Sequence, residues 1–320
     1  MPSPSTSIAN QRPDLSDSLQ EFDLEMDRNG FIASRVLPVM EVALQTSPFG
    51  KIEIEDLLQN PDTERAPGSG YNRGSWTFTT DSYTCLEHGW EEPVDDRESK
   101  MYANYFDAEL IAAQRARDAV LRNYEKRVAA AVFNATTWTA TAAATAWTTV
   151  ATAIPVTDIH AAVLRVYAAS GLWPDALIIN RKTFLELRRT AQIQDLVKEQ
   201  NFMDVRQRSI STAHLSQVFD LEVIVAGSTQ NTADEGLAAV LTPIWSDTYA
   251  SVCKLNRGND IREPGLGRTF HWGQDGSSIG STMETYRDET VRGDIVRARQ
   301  DVDEKILYVE AADLIDITGP

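Results

Sequence analysis

The stretch GWEEPVDDRESK, Gly89 to Lys100, sets five carboxylates, Glu91, Glu92, Asp95, Asp96 and Glu98, around a single proline. Two carboxylates a few ångströms apart can hydrolyse a glycosidic bond, one of them raised in pKa by apolar surroundings so that it can act as the acid. Such pairs sit in clefts and come from different elements, whereas these five share one polar run. The favoured reading is a solvated entry to a helix, where negative charge suits the N-terminus. Other candidate chemistry is thinner. Cys85 and His88 make a lone C-x-x-H with no second pair at metal spacing, and no metal is expected. GSGYNRG (68–74) lacks the Lys-Ser/Thr that completes a phosphate loop, and GLGRTF (265–270) does not open a helix after a strand. Arg292-Gly293-Asp294 resembles an adhesion tripeptide but falls in an expected strand. His160, on an amphipathic helix, reads as structural. Seven Trp and nine Tyr could stack on bases, yet no basic groove accompanies them.

The whole-chain numbers agree with this absence of a catalytic site. The 320 residues carry 30 Lys and Arg against 47 Asp and Glu, a net charge of −17. That disfavours holding nucleic acid by phosphate neutralisation. It suits a soluble enzyme, or a wall that must not adhere to DNA lying against it. A hydrophobic content of 42% can fill a core without a disulfide scaffold, and two distant cysteines fit a reducing compartment. The polar opening MPSPSTSIANQRPDLSDSLQ has no apolar secretory core, and no run has the length of a membrane span. No cofactor and no membrane partner are expected.

Several elements must position these residues. From Gly30 to Phe49 an apolar segment is broken by Pro38 and Pro48, which suits an extended arm laid over another surface. KIEIEDLL (51–58) alternates as a strand, a Pro/Gly-rich tip follows, and SWTFTTDSYTCLEHGW (75–90) alternates again: a projecting β-hairpin that must lean on something. A helix is predicted over Tyr105–Phe133, capped by Asn104 with Asp107 as its acidic partner and running roughly 40 Å. The Thr/Ala/Trp run 134–157 reads as a loop or hairpin. After Pro155 the texture becomes α/β. Thr157 is the expected cap of a helix ended by Gly171, DALIIN is a buried strand, and Asn180 caps a helix through Gln200. Further strands are predicted at LEVIVAGS, GLAAVLT and YASVCKL. In the closing strands Val296, Ala298 and Val302 face one way, and Arg297, Arg299, Asp301 and Asp303 the other. The apolar first hundred residues cannot form a core alone, so an interface with further copies is expected.

This order of parts resembles the major capsid proteins of tailed bacteriophages, the Hong Kong 97-like fold also found in encapsulins. The likeness runs from about Gly30 to the end. TCLEHGWEEPVDDRE, WPDALIINRKTFLELRR and ETYRDETVRGDIVRARQDVDEKILYVEAADLI carry it best. The resemblance implies an α+β subunit with an N-terminal arm (1–48) and an extended β-hairpin loop (49–100). It implies a peripheral domain (101–154 and 276–306) with the spine helix 105–133, and an axial α/β domain (155–275 and 307–320). It implies a non-enzymatic homo-oligomer of hexamers and pentamers, forming an icosahedral head in the virion, assembled in host cytoplasm around double-stranded DNA without sequence-specific binding. The short arm points to a separate scaffolding protein. A portal is an expected partner, and a decoration protein is compatible with the fold. Lys51 and Lys100 have no identifiable cross-linking partner. The residues expected to contact neighbouring subunits are Glu91, Glu92, Asp95, Asp96, Arg97, Arg73, Trp76, Arg297 and Arg299, with the acidic run as the hinge between loop and spine helix. Its carboxylates would meet arginines of an adjacent subunit. The alternatives are an encapsulin-like compartment holding cargo enzymes and a soluble hydrolase using the acidic run.

Overall fold

The structure, a computed structural model, describes residues 10–11, 30–53, 56, 58–65, 67–74, 78–102, 107–199, 210–234, 236–258, 263–279 and 282–320. Its six-stranded sheet is organised by β14 (Gly293–Ile306). Ten residues of β14 pair antiparallel with β5 (Leu86–Asp95), from Gly293 opposite Asp95 to Val302 opposite Leu86. On its other side β14 pairs first with β13 (Met283–Asp288) and then with β12 (Gly267–Trp272). β2 (Val39–Val42) adds in parallel beyond β12, and β1 (Asn10–Gln11) pairs with β13. Gly293 has a specific reason to be glycine: a Cβ there would stand 2.2 Å from the Val94 carbonyl oxygen. Arg292, the first residue of the Arg-Gly-Asp tripeptide, therefore lies in the turn before β14, with φ at 55°, and not in the strand.

The long helix α3 (Ala108–Val132) crosses this sheet. Small residues Ala112, Ala113 and Ala116 let it approach Val296, Ala298 and Met283 closely, and Val94 and Val120 close the cluster. The helix begins later than the periodicity predicts. Asp107 is itself the cap, accepting from the amides of Glu109 (3.0 Å) and Leu110 (3.4 Å). Asn104 lies outside the described residues. The C-terminal half of α3 enters a second core, where Tyr124, Val128 and Val132 meet Ile178, Ile224, Trp245 and Leu314.

The hairpin is present, shifted toward the N-terminus. β3 (Thr46–Ile52) pairs with β4 (Phe78–Thr84), so the strand starts before Pro48, which faces Ser82 on a ribbon with free edges and can point its missing donor to solvent. The ribbon leans on its own chain, through Phe49, Tyr83, Cys85, Phe270 and Leu307, with the Tyr83 and Phe270 rings stacked at 4.6 Å. The expected arm is also partly internal. Ile32, Ala33, Val36 and Leu37, in and around helix α1 (Ala33–Val36), are buried in the core at the C-terminal half of α3. A further copy is not needed to cover this segment.

The second sheet runs β6 (Thr141–Ala142), β15 (Ala312–Asp316), β11 (Tyr249–Cys253), β7 (Ala176–Asn180), β8 (Glu222–Ala226). Helices α4 (Pro155–Ser170), α5 (Arg181–Leu187), α6 (Ala191–Glu199) and α7 (Thr212–Phe219) accompany it. α4 opens on Pro155, whose fixed φ suits a first turn, not at Thr157; Gly171 ends it at φ 69°. Asn180 caps α5 through the Lys182 amide (2.7 Å). The single helix expected to Gln200 is divided, because the Thr190 hydroxyl bonds back to the Leu187 carbonyl (2.8 Å) and diverts the backbone. GLAAVLT is not a core strand. Residues 236–241 are exposed, and only β10 (Leu241–Pro243) pairs, with β9 (Thr229–Asn231), as a separate ribbon.

Strands from three of the expected spans share one sheet. β12, inside the span given to the axial unit, and β2 and β5, inside the arm and loop spans, all join the six-stranded sheet. The reason is hydrogen bonding: β14 needs partners on both edges, which β5 and β12 supply, and β2 extends the sheet beyond β12. The Thr/Ala/Trp run is irregular but not peripheral. Trp147 is fully buried and donates to Asp158 (2.9 Å), and Trp138 donates to the Val309 carbonyl (2.8 Å).

Candidate functional site

β5, its turn into α2 (Asp96–Tyr102) and the facing strands β13 and β14 hold most of the candidate residues. Register places Glu91 opposite Arg297 and Gly89 opposite Arg299. Glu91 accepts from the Tyr286 hydroxyl (3.1 Å) and lies 3.5 Å from Arg297 Nη1. Arg297 turns its other nitrogens to Glu284 (Nε at 3.0 Å), and Arg299 Nε donates to the second Glu284 oxygen (2.9 Å). Burial alone would raise the Glu284 carboxyl, but the two guanidinium groups overcome this and hold it below the usual carboxylate range. Arg299 also contacts Asp275 and Asp301.

The remaining acids have local partners. Asp96 receives both Arg287 terminal nitrogens at 2.6 Å, and that bond keeps its pKa low. Asp95 caps α2 by accepting from the amides of Arg97 (2.7 Å) and Glu98 (3.3 Å). Glu92 accepts from the Trp90 indole (2.9 Å) and stands 3.6 Å from Arg115 of α3. The arginines that meet Glu91, Glu92 and Asp96 in the structure come from the same chain. Arg97 and Arg73 are exposed, with no salt bridge among the described residues, and Trp76 lies outside them. Asp95→Ala is expected to cost about 1 kcal/mol in a denaturant melt through its lost cap. Arg115→Ala, breaking an exposed pair, should cost well under about 1 kcal/mol in the same melt.

This arrangement orients strands; it does not prepare an acid–base pair. None of the five carboxylates lines the nearby groove of about 510 Å³ between β5 and α3, which His88, Trp90, Asn123, Lys126 and Arg127 help to form. Cys85 does not join His88 in a site: its thiol donates to the Phe270 carbonyl (3.6 Å), and burial pushes it up to about 11. Cys253, buried in β11, is raised by burial as well. One pentapeptide, GSSIG at 276–280, matches the spacing of a hydrolase nucleophile elbow and escaped the motif reading. Its described residues, 276–279, follow β12 outside any helix, and Thr282 Oγ1 takes up the Ser278 amide (2.6 Å).

The most consequential polar residue was missed. Glu125, on the side of α3 that faces α1, is 1% exposed. Its carboxylate accepts from the amides of Ile32 and Ala33 (both 2.9 Å) and from the Trp245 indole (2.6 Å), with Ser228 at 3.5 Å. Desolvation raises its pKa despite these bonds. The available signal was a single acid between Tyr124 and Val128 on the apolar stripe.

No family model matches the chain. A curated relative, a major capsid protein of Pseudomonas phage JBD67, is 25% identical over 249 residues, covering 77% of this chain and 79% of that protein. A phage-related protein from Bordetella bronchiseptica RB50 superposes with TM-score 0.67 at 18% identity, over 98% of this chain and 99% of its own. The capsid of cyanophage P-SCSP1u gives 0.58 at 12%, over 88% and 86%, and the encapsulin of Synechococcus elongatus PCC 7942 gives 0.55 at 9%, over 90% and 88%. The chain has the Hong Kong 97-like α+β fold, and its likeness in sequence and architecture is to the major capsid proteins of bacteriophages.

Proposed function

We propose that the chain is a major capsid protein whose copies close into an icosahedral head around phage double-stranded DNA, as hexamers and pentamers. The observation that carries this reading is the sequence likeness to a phage major capsid protein across most of both chains, on a fold shared with phage shells. Surface chemistry supports it. The described residues between 58 and 74 of the hairpin tip are exposed, and the β9–β10 ribbon with its turn exposes Leu237, Val240 and Leu241. Contiguous exposed apolar residues on an otherwise strongly acidic protein suit burial against further copies. Each contact is individually small, and a shell sums many of them. The division into arm, loop, peripheral and axial parts belongs to this reading, with β2, β5 and β12 counted in the peripheral sheet. So do contacts of Arg73, Trp76 and Arg97 with a neighbour, a separate scaffolding protein, a portal and assembly in host cytoplasm.

The test is expression of the chain alone and with its genomic neighbours, followed by electron microscopy and mass measurement. Closed shells or rings of five and six are expected. A monomer or dimer that never assembles, even beside a scaffold, would overturn the proposal. Small shells filled with protein in place of DNA would favour the encapsulin-like compartment, the reading to which the Synechococcus likeness lends some weight.

A further inference from the structure

The outer face of α4 carries an apolar stripe. Leu164, Tyr167 and the cap Gly171 fall on one side of it at helical spacing. Leu164 and Tyr167 are 46% and 42% exposed, and Trp173, just past the helix end, is 59% exposed. The Trp173 indole stacks on the Tyr167 ring, with centroids 4.3 Å apart and planes 18° apart, so the two form one flat wall. Gly171 leaves a notch beside this wall, and Leu58 of the hairpin tip fills it. A Cβ at Gly171 would stand 2.5 Å from Leu58 Cδ1, and the three atoms nearest to it would all belong to that leucine. The seat is shallow, for Leu58 itself stays 59% exposed. Beyond Leu58 the tip closes on itself. Arg65 Nε donates to the Ser69 carbonyl (2.7 Å) with its guanidinium 4.7 Å from the Tyr71 ring centroid, and Asn72 Nδ2 donates to the Asp62 carbonyl (2.9 Å).

We propose that this stripe is an interface between copies of the chain, on which the hairpin tip of a second copy sets its Leu58 in the Gly171 notch and covers the Tyr167–Trp173 wall. The occupant follows from the contact already made. The same leucine fills the same notch within one chain, and identical chains can trade an identical contact without new chemistry. The hairpin is built to allow the trade. Its base is held to Phe270 and Leu307, whereas the described residues between 58 and 74 are exposed, so the tip can turn to a neighbour without unpacking a core. Within one chain the tip leaves Leu164, Tyr167 and Trp173 open to water; a tip arriving from a second copy buries them, and the gain in apolar area favours the exchanged contact. This inference deepens the shell-forming reading and rests on it for the presence of a second copy.

The experiment co-expresses two singly substituted full chains, Leu58→Cys and Ala168→Cys, one of them tagged so that mixed pairs separate by size, and oxidises them mildly. Ala168 is exposed on α4 three residues before Gly171; exposed Ala169 lies on the other side of the helix, so Ala169→Cys serves as the control partner. The two native thiols are buried and stay silent. A mixed disulfide-linked dimer is expected, several-fold above the yield with the Ala169→Cys control and reduced when Trp173→Ala is added to the Ala168→Cys copy. A mixed yield no greater than the control, or a cross-link confined to single chains that carry both Leu58→Cys and Ala168→Cys, would overturn the interface. Closed shells without the mixed cross-link would sink this contact and leave the capsid reading standing. Mixed dimers from small oligomers that never close would do the reverse.

Discussion

Glu125→Ala is expected to lower the unfolding free energy by about 3–5 kcal/mol, seen as a large drop in the urea midpoint. The wild-type carboxylate satisfies two amides at the start of α1 and the Trp245 indole, all removed from water. Alanine leaves those donors without a partner, at about 1–3 kcal/mol each before relaxation. The loss would not be local. Glu125 is where the N-terminal segment, the long helix and the second sheet's loops meet, so the segment from Gly30 to Val42 should become open to limited proteolysis. Glu125→Gln keeps one acceptor but turns an amide donor toward other donors, and an intermediate loss is expected. A variant as stable as wild type would mean that water or a rearranged α1 can supply the missing acceptor.

Replacing residues 58–74 with a short Gly/Ser bridge is expected to abolish closed shells and leave the subunit folded. Described residues in this tip are exposed, and the ribbon below them is anchored to Phe270 and Leu307 within its own chain. Circular dichroism and the melting midpoint should therefore change little. Assembly should respond sharply. Losing about 2 kcal/mol at each contact weakens each association by roughly thirtyfold, and a closed shell multiplies that loss over every subunit. Sedimentation after expression with a scaffold distinguishes the outcomes. Shells that form normally would remove the hairpin tip from the assembly contacts, while a molten subunit would mean that the tip supports its own fold.

Legibility in the sequence followed how local the determining physics was. Period-two alternation gave β14 and β5, and Asn180 and Gly171 marked helix ends, because caps and pleats act over a few residues. The burial of Ile32 to Leu37 was not legible, since its cover comes from the core around Glu125 and Trp245, with Glu125 lying 93 residues beyond Ile32 along the chain. The same distance hid the partners of the acidic run. GWEEPVDDRESK was read as a solvated entry to the long helix, but Glu91, Glu92 and Asp95 lie in β5 and only Asp96 and Glu98 lie in the short helix α2, and nothing local reveals that Arg287 and Arg297 of the closing strands would meet the run. Thr and Ala repeats in 134–157 concealed the two indoles that anchor that segment.

The two buried thiols leave the native surface silent toward maleimides and other electrophiles, since the reactive thiolate is suppressed at both positions. A single cysteine placed at exposed Ala169 on α4 would then carry the one fluorophore on each subunit. Counting bleaching steps from single particles, or absorbance per unit mass for larger ones, would give the copy number of whatever object this chain builds.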